Sequence, residues 1–204
     1  PESNLSIAIV GAGIGGLATA ALLARQGHRV SIYDQFDAPA PVGSGLVIQP
    51  VGQAVLAEIG VLDQALELGT PINRMRGGTA PRRQVLNVSY DPAQRRFGLG
   101  IHRASLFATL LSAARAAGAT LHPAHAALST EDGCITFASH RAGPFHLIVD
   151  AAGAGSPLTP LRARPLPFGA VWATVPWPID TDLDTDVLSQ RYKNAAKMAG
   201  VLPI

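Results

Sequence analysis

Apolar and polar positions follow two different periods along the 204 residues, and the changes of period mark the elements. Residues 5–10 form a short, β-branched apolar run that stops at Gly11, the pattern of a buried strand. Residues 15–26 are rich in alanine and leucine and stop at Gly27, so they predict a helix with a glycine at its C-terminal cap. Residues 30–33 alternate as a second strand ending at Asp34. Together these make one βαβ unit of about thirty residues with a right-handed connection.

The pattern then breaks. Residues 35–50, dense in proline and glycine, predict a long shaped loop. Residues 52–69 predict one or two short helices broken at Gly60, and the strand-like pieces 72–76 and 84–88 predict a sheet inserted from a second domain. Helical period returns over 104–117, with Leu106, Leu110, Leu111 and Ala114 on one apolar face. Short strands are expected at 120–122, 134–138 and 146–151, and another at 170–175 among prolines. Residues 180–186 read as a solvated acidic turn, and 188–204 as a tail without a closing element.

The segment that carries chemistry is Gly11-Ala12-Gly13-Ile14-Gly15-Gly16. Gly11 permits the tight turn out of the strand, Gly13 lets backbone approach a pyrophosphate, and Gly16 lets the helix pack closely on the sheet. The N-terminus of the following helix offers free N–H groups and the positive end of its dipole. Asp34 stands at the end of the second strand, about 20 residues beyond the turn, where a carboxylate can accept hydrogen bonds from a ribose diol. A merely structural glycine turn competes with this reading, but strand, turn, helix and acid all fall in the required order. The fingerprint does not separate FAD from NAD, since both contain an ADP half. Asp34 argues against NADP, whose 2′-phosphate a carboxylate repels.

Composition narrows the classes. Hydrophobic residues make up 48% and charged residues 15%, enough for a packed body. The net charge is +2, and only Arg82-Arg83 and Arg95-Arg96 adjoin, so no nucleic-acid stripe is expected. Cys134 is the only cysteine, which rules out an internal disulfide framework or a cysteine metal cluster. No apolar run approaches the ~20 residues of a membrane-spanning helix. The chain opens on a strand without the basic stretch of a secretory signal, so neither membrane nor export is expected and a cytoplasmic location is.

His122 and His125 lack the further ligands of a metal site and read as surface or packing residues. Tyr192-Lys193 adjoin rather than stand four apart, and Ser44 and Ser105 lack triad partners. Trp172 and Trp177 are expected in core or interface packing.

Five segments resemble the FAD-dependent monooxygenases of the p-hydroxybenzoate hydroxylase type, the aromatic-ring hydroxylases. The first is 7–17 through 30–35, in which Asp34 replaces the usual glutamate and Gln35 follows it. The second, Val42-Gly43-Ser44-Gly45-Leu46-Val47-Ile48-Gln49-Pro50, is similar to the loop beside the flavin, which implicates Gly45. The third, Ile101-His102-Arg103, opens a helix, and the resemblance implies that Arg103 reaches the cofactor; a guanidinium fork matches phosphate geometry. The fourth, His122 to Leu128, is similar to a strand whose backbone pairs with the adenine edge, which implicates Ala127. The fifth, His146 to Ser156, carries Gly153 but has Ala152 where the family has an aspartate. Strand alternation puts Asp150 on the same face as Ala152. The tail from Tyr192 to Pro203 is also family-like.

The resemblance implies an α/β fold: a Rossmann-type FAD-binding domain over 1–70 and 98–165, interleaved with a partial β-rich substrate domain over 71–97 and 166–204. It implies an FAD-dependent oxidoreductase that hydroxylates a small, aromatic substrate, with NAD(P)H as reductant of the intact enzyme and a missing C-terminal portion. Gly11, Gly13, Ile14, Gly15, Gly16, Asp34, Gln35, Gly45, Arg103, Ala127 and Gly153 are the expected cofactor contacts. No catalytic side chain is assigned, because the flavin carries the chemistry. The alternatives are an NAD-dependent dehydrogenase and a non-catalytic nucleotide-binding module.

Overall fold

The computed structural model describes every residue except 1–3, 39, 41–42, 80–82, 92, 94–95, 162–163 and 195. In chain order the first elements are β1 (Ser6–Val10), α1 (Ile14–Arg25), β2 (Arg29–Tyr33), β3 (Gly45–Ile48), α2 (Pro50–Ile59) and α3 (Leu62–Glu67). Next come β4 (Gly69–Ile72), β5 (Arg74–Thr79), β6 (Arg83–Ser89), β7 (Gly98–His102) and α4 (Arg103–Ala116). Then follow β8 (Thr120–His122), β9 (Ser129–Glu131), β10 (Cys134–Thr136), β11 (Arg141–Ala142) and β12 (Leu147–Asp150). The last pair is β13 (Val187–Lys193) and β14 (Lys197–Val201). The chain divides into two compact units, Pro1–Pro41 with Phe107–Ala170, and Val42–Leu106 with Val171–Ile204.

The first unit is built on a parallel sheet in the order β12-β1-β2-β8. Alternation sends Ile7 and Ile9 to one face, and Ala8 and Val10 to the other. Ala8, Val10 and Tyr33 pack with Ala127, Ile135 and Phe137, so the antiparallel meander β9-β10-β11 region closes that face. Leu17, Ala20, Ala21 and Ala24 form the buried stripe of α1. The alanines let helix and sheet approach closely, and burying the stripe stabilises the helix more than its caps do.

In the second unit β7 lies between β3 and β4, antiparallel to both. Ile72, Leu99 and Ile101 are fully buried there. The helix break expected at Gly60 is present: this glycine caps α2 with φ 87°, donating to the carbonyls of Leu56 and Ala57. Gln53 is buried, and its Nε2 donates to the carbonyls of Ile48 (3.1 Å) and Phe97 (2.7 Å). This amide ties the exit of β3 to the entry of β7. Gln53→Leu leaves both carbonyls without that donor and is expected to cost about 1–3 kcal/mol in urea unfolding. An unchanged midpoint would mean that neither bond contributes.

The other sheet of this unit runs β14-β13-β5-β6, with β13 parallel to β5 and the remaining pairs antiparallel. Four expectations need correction here. The loop 35–50 contains β3, a short, glycine-containing strand that exists because it pairs with β7. Residues 188–204 do not trail off but form the β13–β14 hairpin. Residues 170–175 form no strand, and Trp172 and Trp177 are 52% and 36% exposed rather than packed in a core.

Candidate functional site

Gly11 leaves β1 with φ 105°, and a Cβ there would stand 2.4 Å from the carbonyl oxygen of Ala151. The end of β1 therefore touches the end of β12, at the point where the chain order of the parallel strands reverses. Taken from the β8 edge, the parallel strands come third, second, first and fourth along the chain. A crevice at the carboxyl ends, beside such a reversal, is where open α/β sheets take their ligands. Gly16 seats α1 on the turn: its Cβ would lie 2.0 Å from the carbonyl oxygen of Gly11.

The start of α1 is open. Gly13 is its N-cap in extended conformation (φ −75°, ψ 179°), no side chain caps it, and the first turn holds no acid. Apart from the adjoining backbone and chain neighbours, no described atom lies within 4 Å of a Cβ built on Gly13 or Gly15. A diphosphate fits this arrangement. Uncapped N–H groups and the positive end of the helix dipole suit an anion there.

Asp34 is buried (8% exposed) beside this turn. Its Oδ2 accepts from the Ala12 N–H at 2.7 Å, and its Oδ1 accepts from the Phe36 N–H at 3.0 Å. A carboxylate offers about four acceptor sites, so lone pairs remain for a diol. The backbone of Asp34 is held as well: its N–H donates to the His122 carbonyl (3.1 Å), and its carbonyl accepts from the His125 N–H (2.7 Å). Sequence reasoning missed Ala12 and the His122–His125 loop as partners of Asp34. A small residue between two glycines was the only local signal for the first, and the second had none.

The other expected contacts are placed as follows. Ile14 begins α1, and Gln35 is exposed just after Asp34. The Ala127 side chain is in the core cluster with Tyr33, which leaves its backbone for any ligand. Gly153 has φ 81° and open space where a Cβ would be. Because β12 ends at Asp150, strand alternation does not extend to Ala152, contrary to the expected shared face. Asp150 instead binds its own turn, accepting from the Ala152 N–H (3.1 Å) and the Ser156 hydroxyl (2.7 Å).

Two expected contacts belong to the second unit. Arg103 opens α4, and its N–H donates to the Ser44 carbonyl at 2.7 Å. Its Cδ lies 3.3 Å from a Cβ built on Gly43, whose φ is 107°, so the side chain runs along this glycine. A Cβ on Gly45 would meet Leu202 at 3.0 Å and Ile204 at 3.1 Å, which supplies a packing reason for that glycine. Among the described residues no group of three or more His, Cys, Asp or Glu is placed to hold a metal, and no helix is long and apolar enough to cross a membrane.

A family model described as an FAD binding domain matches residues 4–139. Kynurenine 3-monooxygenase of Stenotrophomonas maltophilia is 34% identical over 189 residues, covering 82% of this chain and 40% of that protein. Hispidin-3-hydroxylase of Neonothopanus nambi is 34% identical over 161 residues, covering 74% of this chain and 38% of its own length. A solved structure of 2-methyl-3-hydroxypyridine-5-carboxylic acid oxygenase superposes with a TM-score of 0.69 at 22% identity, over 77% of this chain and 42% of that one. This last likeness concerns the fold. The chain spans 40% and 38% of the length of the two curated relatives.

Proposed function

Since the chain belongs to the FAD-binding-domain family of the aromatic-ring-hydroxylating monooxygenases, we propose that its β1–α1 turn and Asp34 hold the ADP half of FAD in an enzyme that hydroxylates a small aromatic substrate. The observation that carries this reading is the Asp34 carboxylate, 2.7 Å from the Ala12 N–H, beside an uncapped helix start.

In this reading the α1 N-terminus grips the diphosphate with backbone N–H groups. Gly13 and Gly15 keep the approach clear, and Ile14 and Gly16 belong to the same turn. Asp34 takes the ribose diol through its free lone pairs, with Gln35 next to it. The backbone of Ala127 serves the adenine edge, and Gly153 closes the turn after β12. Gly45 flanks the flavin, and Arg103 reaches the cofactor with its guanidinium fork. Bound FAD would supply the redox chemistry, passing one oxygen atom from O₂ to the substrate, with NAD(P)H as reductant.

Residues 1–70 and 98–165 form the FAD-binding domain of this proposal, and 71–97 with 166–204 contribute to a β-rich substrate domain. A C-terminal portion completes the enzyme, which works in the cytoplasm.

The test is reconstitution. The purified chain incubated with FAD and desalted is expected to retain a flavin absorbance band at about 450 nm. Calorimetry is expected to give tighter binding for FAD than for NAD. A colourless protein after reconstitution, or a preference for NAD, overturns the reading.

A further inference from the structure

Two of the chain's six histidines stand against one buried tyrosine next to Asp34, and a third adjoins them. Tyr33 and His122 are register partners on β2 and β8, and their rings stack with centroids 4.7 Å apart and planes 14° apart. His125 stands 5.8 Å from Tyr33 and 5.9 Å from His122. Phe137 closes the group at 5.1 Å from Tyr33 and 5.2 Å from His125, and His140 lies 5.2 Å from His125. Tyr33 and Phe137 are buried and the imidazoles sit over them.

The same histidines hold the backbone of the acid. Asp34 donates to the His122 carbonyl and accepts from the His125 N–H, and Phe36 accepts from the Ala124 N–H at 3.0 Å. The two segments are thus laced by three bonds, with Asp34 engaged on both its N–H and its carbonyl. Ala124, between the histidines, has φ 57°, a left-handed conformation that costs a non-glycine residue and persists only while its neighbours hold it. Whatever displaces the histidine loop therefore displaces Asp34, whose carboxylate must stay on the Ala12 N–H.

Protonation is such a force. His125 Nδ1 lies 2.5 Å from the Pro123 carbonyl, which can only accept, so Nδ1 carries a proton and donates it there. The groups facing His122 are Tyr33 from β2 and His125 from the loop; those facing His125 are His122, Tyr33, Phe137 and His140. Burial holds Tyr33 above its ordinary value, so it stays neutral throughout the range. Among the described residues none of the three rings has a carboxylate ion pair, and the Asp34 carboxylate is turned to Ala12. A charge on His122 would gain some attraction from the Tyr33 face. Burial first, and the neighbouring His125 second, nevertheless press His122 below its ordinary value of 6.5, so repulsion and desolvation win. A group lowered on folding favours the neutral, folded arrangement above its unfolded value. That contribution is lost as the pH falls below about 6.5.

We propose that His122 and His125 are positioning residues for Asp34, and that charging His122 loosens the Asp34 turn and weakens FAD binding in acid. This rests on the FAD reading above.

The experiment is a fluorescence titration of the full chain with FAD at pH 7.5 and pH 5.5, for the wild type and for His122→Phe, which keeps a stacked ring without a titrating nitrogen. Wild-type affinity is expected to fall about fivefold between the two, because binding then competes with protonation of His122. His122→Phe is expected to bind FAD at pH 7.5 and to change less than about twofold between the two pH values. Should that variant not fold, His125→Gln replaces it, with an amide that can still donate to Pro123 and a smaller acid fall than the wild type. Parallel profiles for wild type and variant overturn the inference while the cofactor reading survives. Failure of the wild type to take up FAD at pH 7.5 overturns the cofactor reading and this inference with it.

Discussion

Gly16→Ala is expected to destabilise the β1–α1 unit strongly and to eliminate FAD uptake, whereas Gly13→Ala, three residues away, is expected to lose FAD alone. The contrast is steric. At Gly16 a methyl group would sit 2.0 Å from the carbonyl oxygen of Gly11 and 3.2 Å from its carbonyl carbon. Both are backbone atoms, so relief requires α1 to lift from β1, where Leu17, Ala20 and Ala21 are packed without exposure. Such overpacking costs about 3 kcal/mol or more, a large share of the ~5–15 kcal/mol that holds a domain together.

At Gly13 the backbone is extended (φ −75°, ψ 179°), a conformation alanine adopts freely, and apart from chain neighbours no described atom lies within 4 Å of the added methyl. Its effect on denaturant unfolding is expected to stay within about 0.5 kcal/mol. The methyl would instead occupy the approach to the diphosphate, and FAD affinity is expected to fall about 100-fold. Paired urea melts and FAD titrations on the two variants decide the matter. Wild-type FAD affinity in Gly13→Ala would place the diphosphate somewhere else.

Asp34→Ala is the second large effect, and it acts on both fold and ligand. The Ala12 N–H, on a buried residue, loses its acceptor, and a stranded buried donor costs about 1–3 kcal/mol. The Phe36 N–H loses its partner too, although that site is more open to water. For FAD the variant removes charge-assisted bonds to the diol. Each is worth about 1.5–3 kcal/mol, so affinity is expected to fall by about 100-fold or more. Asp34→Asn keeps the shape and one acceptor oxygen, and a drop of about tenfold is expected. Thermal melts with and without FAD separate the two contributions. If Asp34→Ala melts lower yet binds FAD as the wild type does, the carboxylate braces the turn and never meets the ribose.

Much of the first unit was legible in the sequence. Residues 5–34 carry strand, glycine turn, helix, glycine stop, strand and acid within one local stretch, and the structure has β1, α1 and β2 there. Such a unit is readable because each signal acts on its own neighbourhood: apolar period, glycine conformation, helix propensity. The break at Gly60 and the helix after Arg103 were readable for the same reason. The expected strand at 170–175 shows the limit. An apolar stretch between prolines has the composition of a strand, but a strand also needs a partner with free N–H and C=O groups. Among the described residues none pairs with it.

By itself, then, the amino-acid order determined a βαβ nucleotide fingerprint, its glycines, its acid and the helices downstream, since these follow from interactions between residues close in sequence. Only the tertiary structure decided that β12 lies against β1 so that Ala151 meets Gly11, that β3 and β7 exist by pairing, and that β13 and β14 form a hairpin on β5. It also decided that Asp34 is held from both sides by a histidine loop far along the chain. Pairing between distant segments depends on which backbone groups meet, and backbone groups are the same in every residue. The side-chain pattern can show that a segment is ready to pair, but not with what.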